Sequence, residues 1–230
     1  MIFKVGEREL HFDEEKKEIS YEDKVFTPSV RSYGDMKSLY KLLDNSLEDD
    51  FGLYYMFRDV YFSAEDRNIF KENLLRYDIT ILVPKIIGKE QNKTYGHFHP
   101  VSKDENTFQE VYEVLSGQAI YFEQSKEKCI FTPTFAGEKT VMKSGFGHVS
   151  INPSSDNYLV MANIIDDTFS ANYGEYKDKK GGNYYYENGD WILNPAYQDI
   201  GISESKEKSS GTNMYDDFLS HPEKYNFLHF

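Results

Sequence analysis

Residues 94–124 read TYGHFHPVSKDENTFQEVYEVLSGQAIYFEQ, and two short patterns in this stretch set the expectations for the fold and for the chemistry. The first is Gly96-His97-Phe98-His99. In an extended strand, residues i and i+2 face the same side, so both imidazoles can reach one point. The second is EVYEVLSGQAIYFEQ, a β-prone run that reads as a hairpin turning at Ser116-Gly117, with Glu110 at its start. Glu110 would add a carboxylate oxygen to the two imidazoles. His148, opening the strand that continues as VSINPSSDNYLV, would add a third nitrogen. Three nitrogens and one oxygen suit Fe, Mn, Ni, Zn or Cu, with positions left for water or substrate oxygens. The ordinary alternative stays open at this level. An H-x-H tripeptide on a sheet more often makes plain hydrogen bonds, and Glu110 can be an exposed strand residue, as Glu113 three positions on reads.

Outward from this stretch, the chain keeps the same character. FGLYYMFRDVYF (51–62), YDITILVPKII (77–87), KCIFTPTF (128–135) and DNYLVMANII (156–165) are strand-length runs rich in Tyr, Phe, Val and Ile, bounded by turn formers. With 19 Tyr and 17 Phe in 230 residues, the expected class is all-β, a sandwich or barrel. NYYYENGDWILN adds a hairpin at Asn188-Gly189. Residues 1–20 read as two strands around a charged turn, anchored by Ile2, Val5 and Leu10. In DMKSLYKLLDNS, Met36, Leu39, Tyr40 and Leu43 recur at helical spacing behind Asp35 as N-cap. After residue 200, ISESKEKSSGTN is polar and reads as a linker to a loosely attached end with a short helix near MYDDFLSHPEKY. The expected organisation is N-terminal strands and helix over 1–50, a barrel over 51–198, and a polar linker and tail over 199–230.

The formal charge of −13, from 39 acids against 26 bases spread along the chain, argues against nucleic acid or an anionic membrane as partner. It leaves room for a phosphorylated small molecule bound by local backbone N–H groups. Cys129 is the single cysteine, which excludes an intrachain disulfide and a multi-thiolate zinc site. No signal-peptide or membrane-spanning run is read, so the expected location is the cytoplasm. His11, His221 and His229 fall in terminal segments that look peripheral.

The ordered set of motifs resembles the cupin-type phosphoglucose isomerases of archaea and some bacteria. Their pattern is T-x-G-H-x-H, then E-x-Y, then a strand-opening His. VRSYGDM, the DFGLYYMFRDV strand, ITILVPKIIGKE, Asn172-Tyr173-Gly174 and the ENG hairpin ending in NPAY follow in the family's order, over about residues 25–198. The resemblance implies a cupin (jelly-roll) β-barrel with short peripheral helices, a homodimer, and interconversion of glucose 6-phosphate and fructose 6-phosphate. It implies one divalent transition metal on His97, His99, Glu110 and His148. Whether the reaction runs by a hydride shift or through an enediolate stays open, and if an enediolate forms Glu110 is the candidate base. Thr80, Thr94 and Gly96 would hold the sugar phosphate, and Tyr54, Tyr112 and Tyr173 would touch substrate. The chain departs from the pattern twice. The loop between His99 and Glu110 is lengthened around Lys103–Asn106, and Ala171 stands where the family has a histidine. A non-catalytic sugar-phosphate or metal-binding cupin, or an Fe(II) cupin oxygenase, are the alternative readings.

Overall fold

The alternation read in the sequence is realised as four sheets in a computed structural model that describes residues 1–100 and 107–229. The lengthened loop expected around Lys103–Asn106 lies outside the described residues. Four antiparallel strands open the chain, β1 (Ile2–Val5), β2 (Arg8–Asp13), β3 (Glu18–Tyr21) and β4 (Lys24–Phe26). Then come β5 (Ser29–Ser32), β6 (Gly52–Phe57), β7 (Leu75–Leu82), and the short pair β8 (Ile86–Ile87) and β9 (Glu90–Gln91). The second half supplies β10 (Glu110–Ser116), β11 (Gln118–Gln124), β12 (Cys129–Phe135), β13 (Glu138–Met142), β14 (Gly147–Ile151) and β15 (Leu159–Asp166). It ends with β16 (Tyr184–Glu187), β17 (Asp190–Leu193), β18 (Ile202–Glu204) and β19 (Ser209–Ser210).

A seven-stranded sheet in the order β19-β13-β10-β15-β7-β6-β5 faces a four-stranded sheet in the order β14-β11-β12-β18, the β-rich cupin arrangement expected. Alternation along each strand decides which core a side chain joins. From β15, Leu159 and Met161 point between the two sheets with Leu82, Tyr112, Val114, Ala119 and Tyr121. The intervening Val160, Ala162 and Ile164 point the other way, onto Phe3, Val5, Leu10, Phe12 and Ile19 of the N-terminal sheet. β15 is therefore buried along its whole length, as a strand covered on both faces must be.

Several local expectations are corrected. Ser116-Gly117 does not turn a hairpin: β10 pairs with β13 and β15, whereas β11 pairs with β12 and β14. The chain crosses there from one sheet to the other. Gly117 has φ +83°, and a Cβ on it would stand 2.6 Å from the Tyr158 carbonyl oxygen, so the crossing needs glycine. Ile2 is exposed and is not an anchor; Val5 and Leu10 are, together with Phe3 and Phe12. The helix after residue 32 is one turn, α1 (Tyr33–Met36), followed by a 3-10 turn at Lys37–Leu39. Its N-cap is Ser32, not Asp35. Asp35 is the third helical residue and returns the bond to the Ser32 N–H, a capping box. Leu43 is exposed beyond the helix. The run 51–62 is a strand only to Phe57, and a helix not foreseen, α2 (Ala64–Glu72), follows, capped by Ser63. The Asn188-Gly189 turn is as expected, both residues at positive φ between β16 and β17.

The end of the chain is docked rather than loose. After a short helix α3 (Gly174–Asp178), β18 and β19 add to the two barrel sheets, and α4 (Met214–Ser220) buries Met214, Tyr215 and Phe218 in the largest core. Glu113, read as exposed, is buried because this tail covers it; its carboxylate accepts hydrogen bonds from the Met214 N–H at 2.8 Å and from Asn213 Nδ2 at 2.9 Å. Among the described residues, no helix is long and apolar enough to cross a membrane.

Candidate metal centre and its cavity

The H-x-H segment is held by isolated bridges rather than a full ladder. His97 and His148 exchange both backbone hydrogen bonds, at 3.2 and 3.0 Å, and Phe98 does the same with Asn172, at 2.9 and 2.8 Å. Gly96, at φ +83°, permits this approach, since a Cβ there would lie 2.6 Å from the Tyr176 ring and 2.7 Å from Val149 Cγ2. Phe98 packs outward against Tyr176, and His97 and His99 turn to the same side with Nε2 atoms 3.2 Å apart.

Glu110, the first residue of β10, and His148, near the start of β14, complete the group. Glu110 Oε2 lies 3.3 Å from Nε2 of both His99 and His148 and 3.9 Å from His97 Nε2. All four donor atoms fall within 4.8 Å of one another. Among the described residues Glu110 Oε2, at the middle of the group, is buried with no hydrogen-bond partner. Lone pairs that converge on a common point are what a divalent ion requires. His99 Nδ1 lies 2.8 Å from the Phe108 carbonyl, which can only accept. That contact puts the proton on Nδ1 and leaves the Nε2 lone pair facing the centre.

The charge states agree with this reading. Burial first, then the neighbouring His148, holds the His97 pKa well below the ordinary value; burial also lowers that of His148. Burial by itself would raise Glu110, but the imidazoles of His148 and His99 outweigh it and hold this carboxyl well below the usual range. Burial thus favours the proton-free form at His97 and His148, and Glu110 is held as a carboxylate, the ligand forms that metal binding needs. The four residues fit the group.

His97 and Glu110 of the cluster line a cavity of about 420 Å³ whose floor is the inner face of the large sheet. Tyr54, Thr80, Thr94, Gly96, Tyr112 and Tyr173, singled out from the sequence, all line it. Tyr112 Oη is 3.4 Å from His148 Nε2, and Tyr54 Oη accepts from the Tyr95 N–H at 3.3 Å. The Thr94 hydroxyl accepts from the Ser150 N–H at 2.9 Å, so its proton remains to be donated. Ala171 also lines the wall, with the Phe169 ring packed over His99 at 4.8 Å.

A charged and polar set not singled out from the sequence lines the same walls: Arg31, Arg58, Arg76, Asp78, Asn163 and Asp166. Arg31 Nε is buried without a partner beside Tyr54 and Tyr95. Asp78 accepts from Arg76 Nε at 2.9 Å, yet burial pushes its pKa up to about 6. The signal was alternation: Arg76, Asp78 and Thr80 are i, i+2 and i+4 on one strand, and Asn163 interrupts the apolar run LVMANII. Of the terminal histidines, His11 and His221 are exposed, while His229 Nδ1 stands 2.6 Å from Asp166 Oδ2 at the cavity's edge.

Among solved structures, a predicted oxalate decarboxylase from Thermotoga maritima is similar at 18% identity and TM-score 0.37, over 60% of this chain and 90% of that one. Hazelnut (Corylus avellana) vicilin matches at 14% identity and TM-score 0.40, over 64% of this chain and 32% of that one. An oxalate oxidase in complex with glycolate matches at 17% identity and TM-score 0.32, over 40% of this chain and 41% of that one. The chain thus spans less than half the length of the vicilin and the oxidase. No curated protein matches. Residues 30–201, most of the chain and all of the cavity's described lining, match the family model described as Glucose-6-phosphate isomerase (GPI), and the chain belongs to that family.

Proposed function

We propose that the protein is a metal-dependent aldose–ketose isomerase interconverting glucose 6-phosphate and fructose 6-phosphate. The observation that carries the proposal is the junction, in one cavity, of a three-histidine, one-carboxylate cluster with a hydroxyl- and cation-lined wall, in a chain of this family. Thr80, Thr94 and the backbone of Gly96 would receive the phosphate, and Arg31, with no carboxylate partner among the described residues, supports that end with a free positive charge.

A divalent ion on His97, His99, Glu110 and His148 would polarise the C1 and C2 oxygens of the open-chain sugar. The chain's own residues would do the rest. Glu110 is the candidate base, taking the C2 proton of the aldose and returning it to C1. Tyr112, beside His148, and Tyr173, its ring tilted against that of His97 at 5.5 Å, would orient the carbonyl end. Phe169 and Phe108, stacked at 4.7 Å, cover His99 and keep bulk water from it.

Ala171 on the wall, where the resembling family has a histidine, favours a second reading: sugar-phosphate binding without turnover. A coupled assay on metal-loaded protein separates the two. Steady conversion of glucose 6-phosphate, abolished in Glu110→Gln, is expected. Tight binding with no conversion would replace the proposal by the second reading, and full activity of Glu110→Gln would remove this carboxylate from the chemistry.

A further inference from the structure

The cavity floor carries a polar row of which only Tyr112 has a part in the proposed chemistry. On the inner face of the large sheet, Tyr112 of β10 is the direct cross-strand partner of Asn163 of β15, which is in turn the partner of Asp78 of β7. Such partners stand roughly 5 Å apart at Cβ, so the three side chains make a continuous line. One row away on one side lies Glu110, opposite Ile165; one row away on the other lies Thr80, opposite Met161. The line therefore crosses the floor between the metal cluster and a phosphate-side residue.

Both new residues are 6% exposed and face the cavity. A buried amide or carboxylate is unfavourable unless it is hydrogen-bonded. Asp78 is partly satisfied, by Arg76 Nε at 2.9 Å and the Asp59 N–H at 3.1 Å, which fixes its orientation and leaves acceptor capacity toward the cavity. The Asn163 side chain has no hydrogen bond to any described residue, between the apolar flanks of Met161 and Ile165. An amide both donates and accepts, and a carboxylate accepts. Side by side they match adjacent hydroxyls on a carbon chain.

We propose that Asn163 and Asp78 form a hydroxyl-reading subsite that selects the configuration of the sugar between its carbonyl and phosphate ends. The inference rests on the isomerase reading for the direction in which the substrate lies. A site built to bond a hydroxyl leaves its own buried groups unpaired when that hydroxyl is missing, so discrimination is large.

The test compares kcat/KM for glucose 6-phosphate with that for its 3-deoxy and 4-deoxy analogues, in metal-loaded wild type, Asn163→Ala and Asp78→Asn. In parallel, calorimetry measures binding of glucitol 6-phosphate and its corresponding deoxy analogues. Wild type should prefer the parent over at least one analogue by about 100-fold or more. Asn163→Ala should cut that ratio about tenfold, by losing on the parent and not on the analogue. A ratio unchanged in Asn163→Ala, or no preference in wild type, overturns the subsite, whatever Asp78→Asn does to folding. Absence of turnover with the same pattern in polyol binding would sink the isomerase reading and leave the subsite standing. Neither turnover nor binding would sink both.

Discussion

Glu123 offers a quantitative test of the barrel interior. It lies on β11, 1% exposed, directly across from the candidate ligand His148. Its carboxylate accepts the Lys143 N–H at 2.6 Å, but the Lys143 ammonium is taken by Glu207 at the surface. Burial therefore dominates and pushes the Glu123 pKa from the usual 4.5 up to about 7. Between these two values the folded chain keeps a proton that the unfolded chain has released. Stability consequently falls as pH rises through this window and is level on either side of it. At 1.36 kcal/mol per pKa unit, the shift amounts to about 3 kcal/mol above pH 7. Glu123→Gln keeps the acceptor for Lys143 and has no proton to lose. Urea unfolding of metal-free wild type and variant, at pH 4.5 and pH 8, isolates the effect. The two should be nearly equal at the lower pH, and the variant about 3 kcal/mol more stable at the higher one. A difference between them that does not change with pH would refute the argument.

Other perturbations follow from the same contacts. Phe218→Ala, in a fully buried ring 4.2 Å from Phe70, should cost about 3–5 kcal/mol in denaturant unfolding if the tail is part of the core; a cost near zero would mean a tail that does not bear on stability. Gly96→Ala should destabilise by at least about 1–2 kcal/mol through its positive φ, with further loss from the Tyr176 clash, and metal titration should show weakened binding because His97 is displaced. His99→Ala should reduce affinity for a divalent ion by more than about 100-fold in competition with a chelator, since even the groups that orient a ligand are worth up to that much; unchanged affinity would exclude His99 from the ligand set.

How far the sequence could be read depended on the range of the interactions involved. The H-x-H pair was legible because its geometry is local, two residues apart on one strand, and His148 because it follows a glycine at the start of a strand. The Asn188-Gly189 turn was equally local. The crossing at Ser116-Gly117 was misread because alternation reports which face a residue takes and not which sheet its strand joins. Glu113 looked solvated because its partners, Asn213 and Met214, are about a hundred residues away in the chain. The docking of the tail was hidden by composition: in MYDDFLS the apolar Met214, Tyr215 and Phe218 are interleaved with Asp216 and Asp217, which are half-buried and pair with Arg8 and Lys224. The cavity's charged row was within reach, since Arg76, Asp78 and Thr80 share one face, but polar residues in strands are ordinarily read as solvent-facing.

The proposed isomerisation depends on one metal ion held by His97, His99, Glu110 and His148. Chelator-stripped protein can be titrated with a divalent ion while conversion of glucose 6-phosphate to fructose 6-phosphate is followed at each addition. Activity should start near zero, rise in proportion to metal and level off at one ion per chain. Activity that is indifferent to stripping and reloading, or a fully loaded protein that converts nothing, would contradict it.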